Sequence, residues 1–302
     1  MSFSKKIKNY KTYSSGSSPD SSNESYYSED NEDDNDFKGE LLNNEYIIIK
    51  KIGSGAFSTV WLSFSIKKKI YYAIKIQNSE DYDAAIKEIK ILNLIKKKEC
   101  KYINNIIDNF IFEENKEKYI CMVFNLLSGD IYNVIKDDNY KNGLPIKNIK
   151  NITIQILIAL NNLHNTHNII HSDIKPENIL LLGFNNKIKN IIEQFNTINF
   201  FKILKHLKKK KKNKYMELTI DKCLDKLNYS SSDSDSDRYN SSDSSYDNKD
   251  LDKSYNCNID KIYIDNVHIK LSDFGTSINF SNINKKEIQT RYYRAPEVIL
   301  KC

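Results

Sequence analysis

Paired cysteines and long apolar runs are both missing from this sequence. The five cysteines, Cys100, Cys121, Cys223, Cys257 and Cys302, are widely spread and form no C-x-x-C pair. A reduced intracellular setting, cytoplasm or nucleus, is therefore expected rather than secretion. No apolar segment follows the opening Met1-Ser2-Phe3-Ser4-Lys5-Lys6, so no secretory leader is expected. There is no stretch of about 18 apolar residues to span a bilayer, and no membrane partner is expected. Hydrophobic residues make up only 39% of the 302 positions. That is low for a chain compact throughout, so part of it should be unfolded tail or insert. A strong charge excess is also lacking: 46 basic residues against 40 acidic ones leave a formal net charge of +6. This reads as a solvated mixed-charge surface, and direct nucleic-acid binding is not expected. No internal repeat occurs at solenoid periods.

The apolar residues that are present come in blocks. Residues 1–44 read as a disordered acidic and Ser-rich tail. Asp20 to Asp36 holds eight acids and no base among Ser, Asn and Tyr, too little apolar surface to offset chain entropy. From Glu45 the pattern changes. Tyr46-Ile47-Ile48-Ile49, Val60-Trp61-Leu62 and Tyr71 to Ile76 read as strands, the first two flanking a glycine turn. Ala84 to Ile95 reads as a helix with Ile91, Leu92 and Ile95 on its apolar face. Tyr119 to Phe124 is an apolar strand. Ile146 to Leu163 reads as a long helix opened by Pro145, with Ile149, Ile152, Ile156, Leu160 and Leu163 on one stripe. A second break covers 183–260. It contains five consecutive lysines, Lys208 to Lys212, and a Ser/Asp stretch from Ser230 to Asp247. Its first part, Ile188 to Leu207, has enough apolar residues for a local helix; the rest is expected to be disordered. Lys261-Ile262-Tyr263-Ile264 and Val267 to Leu271 read as short strands.

Several segments carry chemistry. Ile52-Gly53-Ser54-Gly55-Ala56-Phe57-Ser58-Thr59-Val60 lies between two predicted strands. Glycines in such a turn let backbone N–H groups approach phosphate oxygens with no Cβ in the way, although a lone G-x-G hairpin is more often an ordinary tight turn. A strand rather than a helix follows, which excludes the dinucleotide fold of dehydrogenases. Lys75 sits in an apolar strand, where a lysine either snorkels to water or meets an acid; Glu88 on the next helix is the candidate partner. His171-Ser172-Asp173-Ile174-Lys175-Pro176-Glu177-Asn178 is more specific. Asp173 can accept the proton of an attacking hydroxyl, Asn178 can reach a metal, and Lys175 can neutralise charge on a transferred phosphate. The bland alternative is a polar loop capping a helix. Asp273-Phe274-Gly275 follows a strand and offers a second metal ligand, and Ala295-Pro296-Glu297 closes the segment.

In this order the motifs form the protein-kinase set, and residues from about 46 to 302, the insert apart, resemble a eukaryotic protein kinase. Thr290-Arg291-Tyr292-Tyr293-Arg294-Ala295-Pro296-Glu297 resembles the group of cyclin-dependent, MAP, dual-specificity and Clk-type kinases. Within that group, Phe57-Ser58-Thr59-Val60-Trp61-Leu62, Ile120-Cys121-Met122-Val123-Phe124, His171 to Leu181 and Ile288-Gln289-Thr290-Arg291 resemble the SR-protein kinases. That family also carries a long spacer before the metal-binding aspartate, and here Asp173 and Asp273 stand 100 positions apart.

The resemblance implies an α+β, two-lobed kinase fold. A small β-rich lobe spans 45–127, and a helical large lobe is divided between 128–182 and 261–302 by the insert 183–260. It implies ATP and Mg2+ as cofactors and Ser or Thr of protein substrates, possibly Arg/Ser-rich, as acceptors. Lys175 favours Ser/Thr over Tyr. Lys75 and Glu88 would form the ion pair that holds the α- and β-phosphates under Ile52 to Val60. Asp173 would be the base, Lys175 would face the γ-phosphate, and Asn178 and Asp273 would hold Mg2+. Phe124 would be the gatekeeper and Asn125-Leu126-Leu127 the adenine-binding hinge. Leu92, Ile106, His171 and Phe274 would stack as a spine between the lobes. Asp130 fits a ribose contact and an N-cap equally.

Departures from the family carry expectations of their own. Ser58 replaces the third glycine of the loop. Ser172 replaces the arginine that clamps a phosphorylated activation loop, so that switch is expected to be absent. Ala295-Pro296 departs from the SR-protein kinases. Cys302 follows Glu297 by five residues, where the family continues into further helices. An incomplete large lobe is therefore expected, with a separately encoded C-terminal segment as a candidate partner. The rival reading is a non-catalytic nucleotide-binding or scaffold product of a split or decayed kinase gene.

Overall fold

The computed structural model describes residues 37–55, 58–114, 116–137, 140, 142–183, 186–197, 220–222, 267–281 and 288–300. The expectations for residues 1–36, Ala56, Phe57, the lysine run, the Ser/Asp stretch and the strand at 261–264 lie outside them.

Alternation of apolar side chains builds a six-stranded antiparallel sheet in the order β1-β2-β3-β4-β6-β5. The strands are β1 (Leu41–Leu42), β2 (Tyr46–Ser54), β3 (Ser58–Ser65), β4 (Ile70–Gln77), β5 (Ile106–Glu114) and β6 (Glu117–Asn125). Successive side chains alternate between faces. Tyr46 and Ile48 join Trp61, Tyr72, Ile74, Cys121 and Val123 in one cluster, while Ile47 and Ile49 join Leu62 and Tyr71 in another. Burial on both faces explains why Tyr46 to Ile49 reads as a continuous apolar run. The fold begins before the tail boundary expected at residue 44. Phe37 is buried edge-on against Trp61 and Tyr119, and Leu42 is fully buried. Two well-placed apolar anchors suffice to order a stretch whose average composition reads as disordered.

Helix α1 (Tyr82–Ile95) buries Ala85, Glu88, Ile89, Ile91, Leu92 and Ile95, placing one carboxylate on an otherwise apolar face. The next elements are β7 (Gly129–Asp130), α2 (Ile131–Lys136), α3 (Ile146–His167), β8 (Ile169–Ile170) and β9 (Ile179–Leu181). Helix α3 ends at Asn168, whose left-handed backbone (φ 55°) stops it. Its inner face carries Ile152, Ala159 and Leu163, with Ile156 and Leu160 half-buried against the same core. Ile149, expected on that stripe, is instead exposed, as are Ile154, Leu157 and Ile158. The helix is apolar on more than one side, so periodicity alone left its inner face ambiguous.

The insert leaves and rejoins the large lobe at one place. Strand β9 pairs antiparallel with β10 (Ile269–Leu271), and Leu182 N donates to His268 O. Gln155 of α3 secures this junction: its Nε2 donates to Val267 O at 2.8 Å, and its Oε1 accepts from Ile269 N at 2.9 Å. The described start of the insert is helix α4 (Asn186–Asn196). Its Ile188, Ile191 and Phe195, at helical spacing, are buried with Ile47, Ile49, Leu62 and Tyr71 of the small lobe. Phe195 lies 6.0 Å from the Phe64 ring and 6.1 Å from that of Tyr71. Farther along the insert, Ile220 is fully buried in the same cluster and Asp221 pairs with Lys38 at 2.7 Å. Strand β11 (Ile278–Asn279) pairs with β8, and a short helix α5 (Pro296–Ile299) ends the described chain. No helix among the described residues is long and apolar enough to cross a membrane.

Replacing Gln155 with Leu keeps the side-chain volume but leaves Ile269 N without its side-chain acceptor, and Val267 O keeps only the longer contact from Asn151 Nδ2 at 3.3 Å. The expected loss is about 1–3 kcal/mol for the orphaned N–H, read as a lowered urea midpoint with an unchanged m-value.

Candidate active site

Between the lobes lies a cleft of about 520 Å³. Strands β2 and β3 form its roof, turning where Gly55 N donates to Ser58 O at 2.8 Å. Ile52, Gly53, Ser54, Gly55, Ser58 and Val60 line the cleft, as do Phe124, Asn125 and Leu127 at the end of β6 and just beyond. Thr59 does not: its Oγ1 accepts from Trp61 Nε1 at 2.9 Å, because strand alternation turns it away from its neighbours' face. Leu126 likewise turns into the sheet cluster with Ile47 and Leu62. Asp130 lines the cleft and also caps α2, accepting from Asn133 N at 2.8 Å. Of its two sequence readings, the N-cap is formed.

Three charged groups from distant positions meet inside the cleft. Lys75 Nζ lies 2.9 Å from both Glu88 carboxylate oxygens and 3.0 Å from Asp273 Oδ1. Lys75 is therefore paired rather than snorkelling. Burial alone would pull its ammonium pKa down, but the two carboxylates outweigh burial and hold it above the ordinary lysine value. Asp273 is likewise held below the usual carboxylate range, since the attraction of Lys75 exceeds the effect of burial. Glu88 is 1% exposed, and unpaired it would be a costly buried charge.

Beside this group, Asp173 is held on every side. Its Oδ1 accepts from Thr290 N at 3.0 Å and from Thr290 Oγ1 at 2.6 Å. Its Oδ2 lies 2.9 Å from Lys175 Nζ and accepts from Asn178 Nδ2 at 3.1 Å. Lys175 also donates to Thr290 Oγ1 at 3.0 Å. Burial raises the Asp173 pKa, but the Thr290 and Lys175 contacts bring it below the ordinary value, so the side chain is ionised near neutrality. Asn178 and Asp273 line the cleft, whereas Asp173 and Lys175 stand just outside its lining. In the sequence Thr290 stands out only as part of a motif. Its contact spans 117 positions, and no local pattern announces it.

The expected spine residues Leu92, Ile106, His171 and Phe274 are each 1% exposed. The His171 and Phe274 rings are 4.9 Å apart. His171 Nε2 lies 2.9 Å from Ser272 O and its Nδ1 accepts from Asp173 N, a pattern that requires the neutral ring protonated on Nε2. Burial depresses its pKa accordingly. Ser172 (φ 65°) and Asp273 (φ 64°) adopt left-handed backbone, a strain on the order of 1–3 kcal/mol each. The Ser172 hydroxyl donates to Thr276 O at 2.7 Å, and Ser277 Oγ donates to His171 O at 3.0 Å. Neutral hydrogen bonds thus bind the two loops where an arginine is replaced.

The three carboxylates Asp173, Asp273 and Glu88 face two ammonium groups, which leaves one negative charge unmatched. Among the described residues, no group of three or more His, Cys, Asp or Glu could hold a metal unaided. Asp273 and Asn178 offer oxygen donors to one cleft. That donor set suits Mg2+, which is usually held by one or two carboxylates together with substrate phosphates and waters.

Residues 46–195 match the protein kinase domain model. A protein of Acanthamoeba polyphaga mimivirus named as a serine/threonine-protein kinase is 32% identical, with 87% of this chain and 64% of that protein covered. The serine/threonine-protein kinase SRPK of Physarum polycephalum is 42% identical over 47% of this chain and 35% of its own length. SRSF protein kinase 3 of Mus musculus is 37% identical over 47% of this chain and 26% of its own length. A crystal structure of a kinase domain superposes with a TM-score of 0.54 at 25% identity, covering 87% of this chain and 60% of that one. The chain thus spans less than two thirds of each of these proteins.

A free imidazole takes a proton near pH 6.5, whereas folded His171 resists protonation until lower pH. The stability it contributes is therefore complete above that value and lost as pH falls below it. The urea midpoint of the parent should fall between about pH 7.5 and about pH 5.5, and His171→Gln should show a smaller fall.

Proposed function

Since the chain belongs to the protein kinase family, we propose that it transfers the γ-phosphoryl group of ATP to Ser or Thr hydroxyls of a protein substrate. The observation that carries this reading is the hold on Asp173. Both of its oxygens are engaged by donors from Thr290, Lys175 and Asn178. A carboxylate offers about four lone-pair sites, so accepting a substrate proton requires one donor to let go. Lys175 is that donor. Drawn to an entering γ-phosphate, its ammonium releases Oδ2 to the attacking hydroxyl while Thr290 keeps the carboxylate oriented. Asp173 is the base in this reading.

Lys75, fixed by Glu88, orients the α- and β-phosphates beneath Ile52 to Val60, and Leu127 lies at the adenine hinge. Asn178 and Asp273 would hold Mg2+, which would supply charge neutralisation on the phosphates. Positioning and charge compensation are what phosphoryl transfer most needs. Similarity to an SRSF protein kinase makes Arg/Ser-rich sequences the first choice of acceptor. An intracellular setting belongs to the same reading and is supported by the buried free thiols Cys100 and Cys121.

The test is transfer of labelled phosphate from MgATP to an Arg/Ser peptide. Asp173→Asn should lower the rate by at least about 10²-fold with nucleotide affinity retained. Thr290→Ala should slow transfer, and Thr290→Ser should largely restore it. Equal transfer by Asp173→Asn and parent would remove the assignment of the base. Nucleotide binding without transfer by the parent would support the scaffold reading instead.

A further inference from the structure

The nucleotide cleft has one wall from outside the two lobes. Ile188, the third residue of α4, lines the cleft and is 7% exposed. It is the first of the three apolar residues by which α4 docks, ahead of Ile191 and Phe195. The cluster that receives them is continuous with the cleft: Ile52 and Ala73 are packed against it and also line the cleft. A side chain brought in by the insert thus shares its packing partners with the roof of the cleft. Docking of α4 and the shape of the cleft are one packing problem, because close-packed apolar groups transmit displacements of less than an ångström.

We propose that Ile188 is a binding residue of the nucleotide site, with the insert supplying an apolar rim that sets affinity for the nucleotide. The proposal rests on the nucleotide-cleft reading above. By linkage, whatever strengthens nucleotide binding through this contact must also steady α4, to the same extent.

The experiment is calorimetric titration of the full chain with MgATP and with MgADP. Ile188→Ala is expected to weaken both by about tenfold, as the loss of a buried branched side chain would. Ile188→Leu should stay within about twofold of the parent, as should Glu193→Ala, an exposed change on the same helix. Amide hydrogen exchange over 186–196 gives a second readout that survives a destabilised variant: MgADP should slow exchange there in the parent and much less in Ile188→Ala. Unchanged affinity in Ile188→Ala, or exchange in α4 indifferent to MgADP, overturns the inference alone. No nucleotide binding by the parent overturns the cleft reading and this inference with it.

Discussion

The contact on which most of the structure depends is the meeting of Lys75 with Glu88 and Asp273. Each group is placed by a different element: the middle of the sheet, the buried face of α1, and a strained turn after β10. Lys75 and Glu88 are buried and would not be tolerated at their positions alone, whereas Asp273 is more exposed. A buried lysine without a counter-ion loses its proton, and a carboxylate at 1% exposure without a cation is several kcal/mol out of place. The three therefore fix one another, and with them the angle of α1 and the approach of the Asp273 turn to the roof of the cleft. Removing Lys75 or Glu88 leaves a buried group without its main counter-charge rather than a gap.

Around that contact, the insert is accommodated without separating the two loops of the site. Its ends meet across β9 and β10, held by Gln155, so the Asp173 loop and the Asp273 turn are neighbours despite the 100 positions between them. The helix that follows Gly183 does not drift into solvent. It covers apolar side chains on the small lobe that would otherwise be wet, among them Leu62 and Tyr71.

Legibility in the sequence followed the range of each interaction. Asp173, Lys175 and Asn178 lie within six residues of one another, so their joint chemistry showed in the pattern. Strands β2, β3, β4 and β6 and helix α1 showed for the same reason, through local periodicity. What stayed hidden depended on distant partners. Thr290 contacts Asp173 across 117 positions. The helical tendency of α4 was visible but its docking face was not, since nothing local says that Phe195 meets Phe64. Phe37 was lost in the polar average of its surroundings. Strand β5 was missed because Asp108, Asn109 and the acids at its end break the apolar run. Ile149 was placed on the wrong side of α3 because that helix carries isoleucine and leucine around much of its circumference.

The central claim, that Lys75 and Glu88 act as one unit in aligning the nucleotide, is tested most directly by a double-mutant cycle on single-turnover phosphoryl transfer. Lys75→Met and Glu88→Gln should each nearly abolish transfer, and the double variant should be little worse than either alone, a coupling of the kind seen only between contacting groups. Independent, additive losses in the double variant, or near-parent transfer by Lys75→Met, would contradict the account.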